Sequence, residues 1–273
     1  PNLNETCMNL SPLSAISPID GRYAGKTQTL RDIFSEYGLI KARVQVEVRW
    51  LQHLAANPKI TEVPALSADA SQFLERIATE FCELDAEAIK RIEATTNHDV
   101  KAVEYFLKAE LEKTGETAAR EWVHFGLTSQ DINNTAIPLL WKHALEYEYV
   151  PALLNLNTEL RLLATEWKDV SLLARTHGQA ASPTKLGKEL MVYVERLQNG
   201  VEQLINIPIS AKFGGATGNF NAHHIAFPKT DWIKFSNEFV ENVLGLQRMQ
   251  FTTQVEHYDN MAASFDAMRR INN

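Results

Sequence analysis

The chain has 273 residues, enough for a sizeable core and one or two domains. Apolar residues make up 45% and charged residues 22%, a globular balance, and the net charge of −7 excludes a broadly basic nucleic-acid-binding surface while leaving room for a local cationic pocket. No run reaches the roughly 20 apolar residues of a membrane span. The N-terminus has no basic-then-apolar leader, and Cys7 and Cys82 alone make no disulfide framework. The expected setting is a reducing cytoplasm, with neither membrane nor nucleic acid as partner.

Three- and four-residue apolar steps run through most of the chain and predict helices. Leu30, Ile33, Phe34, Tyr37, Ile40, Val44 and Leu51 place one from about Thr27 to Ala56. Phe73, Leu74, Ile77, Phe81, Leu84, Ala88, Ile89 and Ile92 form one stripe, read as a single long helix. Val100, Val103, Phe106, Leu107 and Leu111 mark a shorter one. Asp131 to about Lys168 reads as one long element that Pro138 and Pro151 should kink or split. Another helix is expected from Thr184 to about Ile205. Strand signals are scarce, and no hairpin dipeptide lies between alternating apolar residues. The expected fold is all-α, with a smaller helical domain over 1–117 and a long-helix bundle over 118–273. Met261, Phe265, Met268 and Ile271 are still in helical step near Asn273, so the bundle is expected to be incomplete.

Several polar segments sit at predicted helix starts or in glycine loops. Asp20-Gly21-Arg22-Tyr23 reads as a turn presenting a guanidinium and a phenol, either an ordinary surface turn or a phosphate clamp. In Thr95-Thr96-Asn97-His98-Asp99, a capping box of Thr96 with Asp99 would explain those two residues but not Asn97 or His98, which lie where a helix N-terminus favours an anion. Thr128-Ser129-Gln130-Asp131 repeats the pattern, with His124 one turn upstream, and offers a seat for a carboxylate. Arg175-Thr176-His177-Gly178-Gln179 precedes Ser182-Pro183, which reads as an N-cap followed by proline at the first helical position. His177 then falls in a loop where its ring can face a ligand, although a loop histidine is more often an incidental hydrogen-bonding residue. His223-His224 lacks the further ligands a metal needs, so no metal is expected. Lys212 to Asn221 holds Gly214-Gly215-Ala216-Thr217-Gly218, which permits close backbone approach but lacks the P-loop order.

Taken together and in this order, the segments resemble the fumarase/aspartase superfamily of eliminating lyases. His-Phe-Gly-Leu-Thr-Ser-Gln-Asp over 124–131 is similar to its first signature region and Arg-Thr-His-Gly-Gln over 175–179 to its second. Ser17 to Tyr23, Thr95 to Tyr105 and Gly218 to His223 are similar to blocks of the adenylosuccinate lyase branch, so the resemblance runs over about residues 10–273. It implies the long-helix bundle of that superfamily and a β-elimination releasing fumarate from succinylated purine nucleotides. It implies His177 as proton donor to the departing nitrogen, and His98 as a second acid/base or orienting group. Asn97, Asp99, Thr128, Ser129 and Gln254 would contact substrate, and Arg22 and Tyr23 would hold the 5′-phosphate. Neither metal nor organic cofactor is implied, and the active form would be a homotetramer with sites shared between subunits.

The chain departs from the family pattern in two places. The third signature, Ser-Ser-x-Met-Pro-x-Lys-x-Asn, whose serine is expected to abstract the proton, does not occur. Thr253 to Asp259 has His257-Tyr258 where many relatives carry Pro-His. Two alternatives stand beside the main reading: a superfamily lyase for argininosuccinate, fumarate or aspartate, and a non-catalytic helical scaffold.

Overall fold

The computed structural model describes residues 11–273, and helices dominate them. Cys7 lies outside the described residues, and Cys82 is a free, exposed thiol.

After a 3-10 turn over Gln28–Leu30, the helix expected over 27–56 is two helices, α1 (Arg31–Phe34) and α2 (Glu36–Ala55). Ser35 leaves helical geometry at ψ 168° and its hydroxyl accepts from the Gly38 amide at 3.2 Å. A serine cap inside a continuous apolar pattern has overridden the periodicity. The same correction applies to the stripe from Phe73 to Ile92. It belongs to α3 (Ala68–Thr79) and α4 (Glu83–Thr96), with the Asp85 carboxylate accepting from the Cys82 amide at 2.9 Å to restart the helix. Phe81 in the connector stays buried, and its carbonyl accepts from the Tyr37 hydroxyl at 2.7 Å, which keeps the stripe unbroken across two helices. α5 spans Asp99–Thr114 as its apolar steps predict.

The long element beyond Gly126 is α6 (Ser129–Ala144), a π-helical stretch (Leu145–Tyr149) and α7 (Val150–Glu166) in direct succession. Pro151, which has no amide to donate, sits in the first turn of α7 immediately after the π-helical residues. The wider winding there absorbs the missing donor without ending the rod.

The chain then makes a β-hairpin, which the scarce strand signals and the missing hairpin dipeptide did not predict. β1 (Ser171–Thr176) pairs antiparallel with β2 (Gln179–Lys185), and His177-Gly178 is the two-residue turn. Both turn residues have positive φ, 46° and 75°, as a type I′ turn requires. Glycine supplies the second at no steric cost and histidine is among the residues that tolerate the first. Ser182 and Pro183 therefore lie in a strand and do not cap a helix, Pro183 being opposite Leu173. A two-stranded ribbon has only edge strands, where a missing amide costs little. α8 (Leu186–Ile205) begins after β2.

A parallel bridge of two residues per strand joins β3 (Ser210–Ala211) to β4 (Gln247–Arg248). Between them lie the glycine loop, α9 (Asn221–Ala226), α10 (Trp232–Asn237) and a π-helical stretch, Glu238–Val243. α11 (Asp259–Asn272) packs on α8.

α2 is the hub. Ile40, Val44, Val48 and Leu51 enter a core with α3, α4 and α5, while Ala42, Val46, Trp50 and Leu54 enter a second core with α6, Phe213, Trp232 and Phe239. A helix that is apolar on both sides must be buried on both. By contrast Leu154, Leu156 and Leu162 of α7 and Val192 and Tyr193 of α8 are exposed, as are Leu172 and Leu173 of the hairpin.

The α7–α8 corner is tight: a Cβ on Gly187 would lie 2.1 Å from the Ala164 carbonyl oxygen. Gly187→Ala should therefore destabilise the protein by about 1–3 kcal/mol through overpacking, read as a lower urea midpoint at unchanged slope. An unchanged midpoint would mean that the corner opens without cost.

Candidate active site

Asp131, in the first turn of α6, organises the site. Its side chain is fully buried; Oδ2 accepts from the Thr128 amide at 2.9 Å, completing the capping box read from the sequence. Oδ1 accepts from the amides of Gly214 at 2.8 Å and Gly215 at 3.1 Å. The same oxygen lies 2.8 Å from the ammonium of Lys212, itself fully buried, which donates to the Gly215 carbonyl at 2.5 Å. Burial pushes the Lys212 pKa down, and the Asp131 charge opposes that. One carboxylate thus fastens the N-terminus of α6 to the glycine loop.

Glycine is required where these backbones meet. A Cβ on Gly126, at φ 72°, would sit 2.5 Å from the His223 ring, and one on Gly218, at φ 79°, would sit 2.7 Å from the Thr252 carbonyl oxygen. His223 is buried among Trp50, Phe125, Phe220 and Trp232, and burial pushes its pKa down to about 4. It is a neutral packing residue at physiological pH. The contact between Gly218 and Thr252 brings the segment carrying Gln254 against the loop, with Gln254 exposed.

The second half of the site is the α4–α5 junction. Asn97 takes the left-handed conformation at φ 51° and ends α4. His98 is itself the N-cap of α5, its Nδ1 accepting from the Lys101 amide at 3.1 Å, so the expected Thr96–Asp99 capping box does not form. The Thr96 hydroxyl instead donates back to the Ile92 carbonyl at 3.1 Å. This bond fixes the ring: with Nδ1 accepting, Nε2 carries a proton in the neutral tautomer. Nε2 lies 3.4 Å from the Ser129 hydroxyl, at the α6 N-terminus. Arg43 of α2 holds the junction in place, pairing with Asp99 at 2.7 Å and donating to Asn133 at 2.9 Å. Burial raises the Asp99 pKa, but the Val100 amide and the Arg43 guanidinium outweigh it and hold it below the usual carboxylate range.

His98, Asp99 and Ser129 are therefore brought together directly, Thr128 adjoins the glycine loop through Asp131, and Gln254 follows through Thr252. Two helix N-termini converge with their positive dipole ends, one bearing an imidazole and the other two hydroxyls. Such a place attracts a carboxylate or another anion.

His177 is not part of this group. It is exposed at the tip of the hairpin, and its imidazole makes no hydrogen bond or ion pair with any described residue. Arg22 and Tyr23 are exposed in a turn stitched by Gly21 N to Ser17 O at 3.0 Å and Tyr23 N to Pro18 O at 2.9 Å, with the guanidinium 5.6 Å from the phenol ring centre. Lys212 and Arg43 are residues that reading the sequence passes over. Lys212 stands between Ala211 and Phe213, just ahead of Gly214-Gly215, and a lysine in so apolar a run is a signal of a buried ion pair. Nothing local marks Arg43, one of many charges on α2.

Among known proteins, the sequence profile of the lyase family matches residues 21–273. The adenylosuccinate lyases of Vibrio cholerae and of Escherichia coli K12 are 51% and 50% identical to the chain, each over 97% of it. That of Dictyostelium discoideum is 51% identical over 98%. The chain spans 58–59% of the length of these relatives. The crystal structure of β-carboxy-cis,cis-muconate cycloisomerase from Acinetobacter calcoaceticus superposes on 89% of the chain with a TM-score of 0.66, covering 54% of that structure at 23% identity. The 3-carboxy-cis,cis-muconate lactonizing enzyme of Pseudomonas putida superposes on 89% with a TM-score of 0.65, covering 52% at 23% identity. At that identity these two likenesses speak for the fold alone.

Lys212→Met should cost about 3–5 kcal/mol, because it leaves the Asp131 charge buried without its cation. Adding Asp131→Asn should return part of the loss, and urea denaturation of the single and double variants measures both. A single-variant loss below about 1 kcal/mol would deny the pair its role in holding the loop.

Proposed function

The chain belongs to the lyase family, and from that premise we propose that it carries site residues of an enzyme that eliminates fumarate from adenylosuccinate to give AMP. The succinylated aminoimidazole carboxamide ribotide would be a second substrate. One observation carries the reading: the α5 and α6 N-termini meet with His98 Nε2 3.4 Å from the Ser129 hydroxyl, in a chain whose relatives named above are adenylosuccinate lyases.

Removing a proton beside a carboxylate builds negative charge on that carboxylate. Thr128, Ser129 and the free amides of α6 are fixed donors for that charge, an arrangement worth several kcal/mol in the transition state. The departing purine nitrogen takes up a proton, for which an imidazole near neutrality is suited. His177 is assigned that task, with His98 orienting the succinyl group, Asn97, Asp99 and Gln254 contacting substrate, and Arg22 and Tyr23 holding the phosphate. The abstracted proton goes to a base, for which the resemblance implies the serine of the third signature, a run this sequence does not contain; a full-length relative would supply it, and no cofactor enters the elimination.

Because His177 stands on an exposed hairpin remote from any partner group, the complete site is proposed to assemble from several subunits of a homotetramer. The exposed Leu154, Leu156 and Leu162 of α7 and Leu172 and Leu173 of the hairpin support association. Division into domains over 1–117 and 118–273 and residence in the cytoplasm belong to the same proposal. Among the described residues no helix is long and apolar enough to cross a membrane.

Mixing tests the reading. A full-length relative inactivated at its own equivalent of His177 should regain fumarate release, followed by ultraviolet absorbance, when mixed with this chain. It should not regain it with the chain's His177→Ala variant, which removes about 10²–10⁴-fold in turnover. Arg22→Ala should mainly weaken binding of AMP and adenylosuccinate in calorimetry. Binding of neither nucleotide, with no complementation, would leave the scaffold reading; turnover of argininosuccinate in their place would move the enzyme to another branch.

A further inference from the structure

Glu47 and His124 make a further part-buried carboxylate–imidazole contact, one that the proposed chemistry does not use. Glu47 comes from the middle of α2, is fully buried, and its Oε1 lies 2.5 Å from His124 Nδ1; its Oε2 has no hydrogen-bond partner among the described residues. His124 opens the turn that leads into α6, at φ 62°, with Gly126 following at φ 72°. The rest of that turn is held by groups that do not change charge near neutrality. The Trp50 indole of α2 donates to the Phe125 carbonyl at 3.1 Å, the Leu127 amide donates to the His124 carbonyl at 3.2 Å, and the neutral His223 ring packs beneath Gly126.

We infer that Glu47 and His124 form a proton-dependent latch on this turn, so that the placement of Thr128 and Ser129 depends on the charge of one part-buried imidazole. Glu47 is a positioning residue acting through His124. With His124 protonated, the carboxylate has a cation beside it. When the proton leaves, a buried carboxylate keeps a single hydrogen bond and no cation, which is the costly arrangement for a charge in a core.

The groups facing His124 are Glu47 from α2 and Glu104 and Lys101 from α5. Glu104 is balanced by Lys101 at 2.7 Å and Lys108 at 2.9 Å. Burial lowers the His124 pKa, but the Glu47 carboxylate outweighs it and Glu104 adds to it, so the net shift is upward, with Lys101 opposing. A raised pKa in the folded state contributes stability in full below the ordinary histidine value of about 6.5, and the contribution is lost as pH rises through the folded value. The Lys101 amide is also the one that His98 Nδ1 accepts from, so the latch adjoins both halves of the site.

The consequence for a bound carboxylate rests on the proposed function, but the latch itself can be read without ligand. In an NMR titration of the imidazole resonances of this chain, His124 should titrate above about 6.5. The amides of Gly126, Thr128 and Ser129 should shift with the same midpoint. Glu47→Gln should lower both midpoints together. Lys101→Met, a milder surface change that removes an opposing charge, should raise them and keeps the test open if Glu47→Gln does not fold. Amides at 128 and 129 that stay still while His124 titrates, or a midpoint indifferent to both substitutions, would overturn the latch. Absence of nucleotide binding in a protein whose amides follow His124 would overturn the proposed function and leave the latch standing.

Discussion

The carboxylate of Asp131 is the point on which the rest of the site depends. Three backbone amides from two separate segments and one buried ammonium converge on its two oxygens. A buried charge with fewer partners would be destabilising, so the arrangement holds only when the glycine loop and the start of α6 are both in place. That requirement locks two segments more than 80 residues apart in sequence, as the Gly214–Asp131 bond records. One oxygen caps the Thr128 amide and the other holds the loop, so both are occupied and the amides of Ser129 and Gln130 are left to meet a ligand.

α2 supplies the second constraint. Its two apolar faces serve two cores, while its few buried polar side chains reach outward to the site: Arg43 to Asp99 and Asn133, and Glu47 to His124. The helix therefore works as a rigid ruler that sets the separation of the α5 and α6 N-termini. Its register matters because Ser35 ends α1 and begins α2, so Arg43 and Glu47, four residues apart, fall on neighbouring turns of one face.

The hairpin is built on a different principle. β1 and β2 pair with each other, and the strands stand on the α7–α8 corner without entering either of the two larger cores. A histidine at its tip is held in backbone geometry by a type I′ turn, yet its ring is left without a protein partner. The turn sets the backbone geometry there while the surroundings are open. This is the arrangement expected of a group presented to something beyond its own core, and it agrees with the proposal that the site is shared.

Apolar spacing alone determined the helical class, the positions of α5 and α8 within a few residues, and the existence of the long α6–α7 rod. Polar spacing determined the Thr128–Asp131 cap, because a capping box needs only four consecutive residues. The helix break at Ser35 and the break between α3 and α4 were not legible, since a stripe at helical spacing looks the same whether one helix or two carry it. Ser182-Pro183 looked like a helix start because those residue types favour an N-cap and a first helical position. Only pairing across the ribbon, where Pro183 lies opposite Leu173 and Thr184 opposite Leu172, made them part of a strand. The resemblance gathered His98, Ser129 and His177 into one function, but nothing in their spacing says which of them meet within one chain. That was decided by tertiary structure: Arg43, Lys212 and Glu47 act through contacts 56 to 90 positions away, or 77 and 81 in the cases of Glu47 and Asp131 with their partners. A buried charge has meaning only once its partner is known, and its partner is chosen by the packing of helices and not by the order of residues.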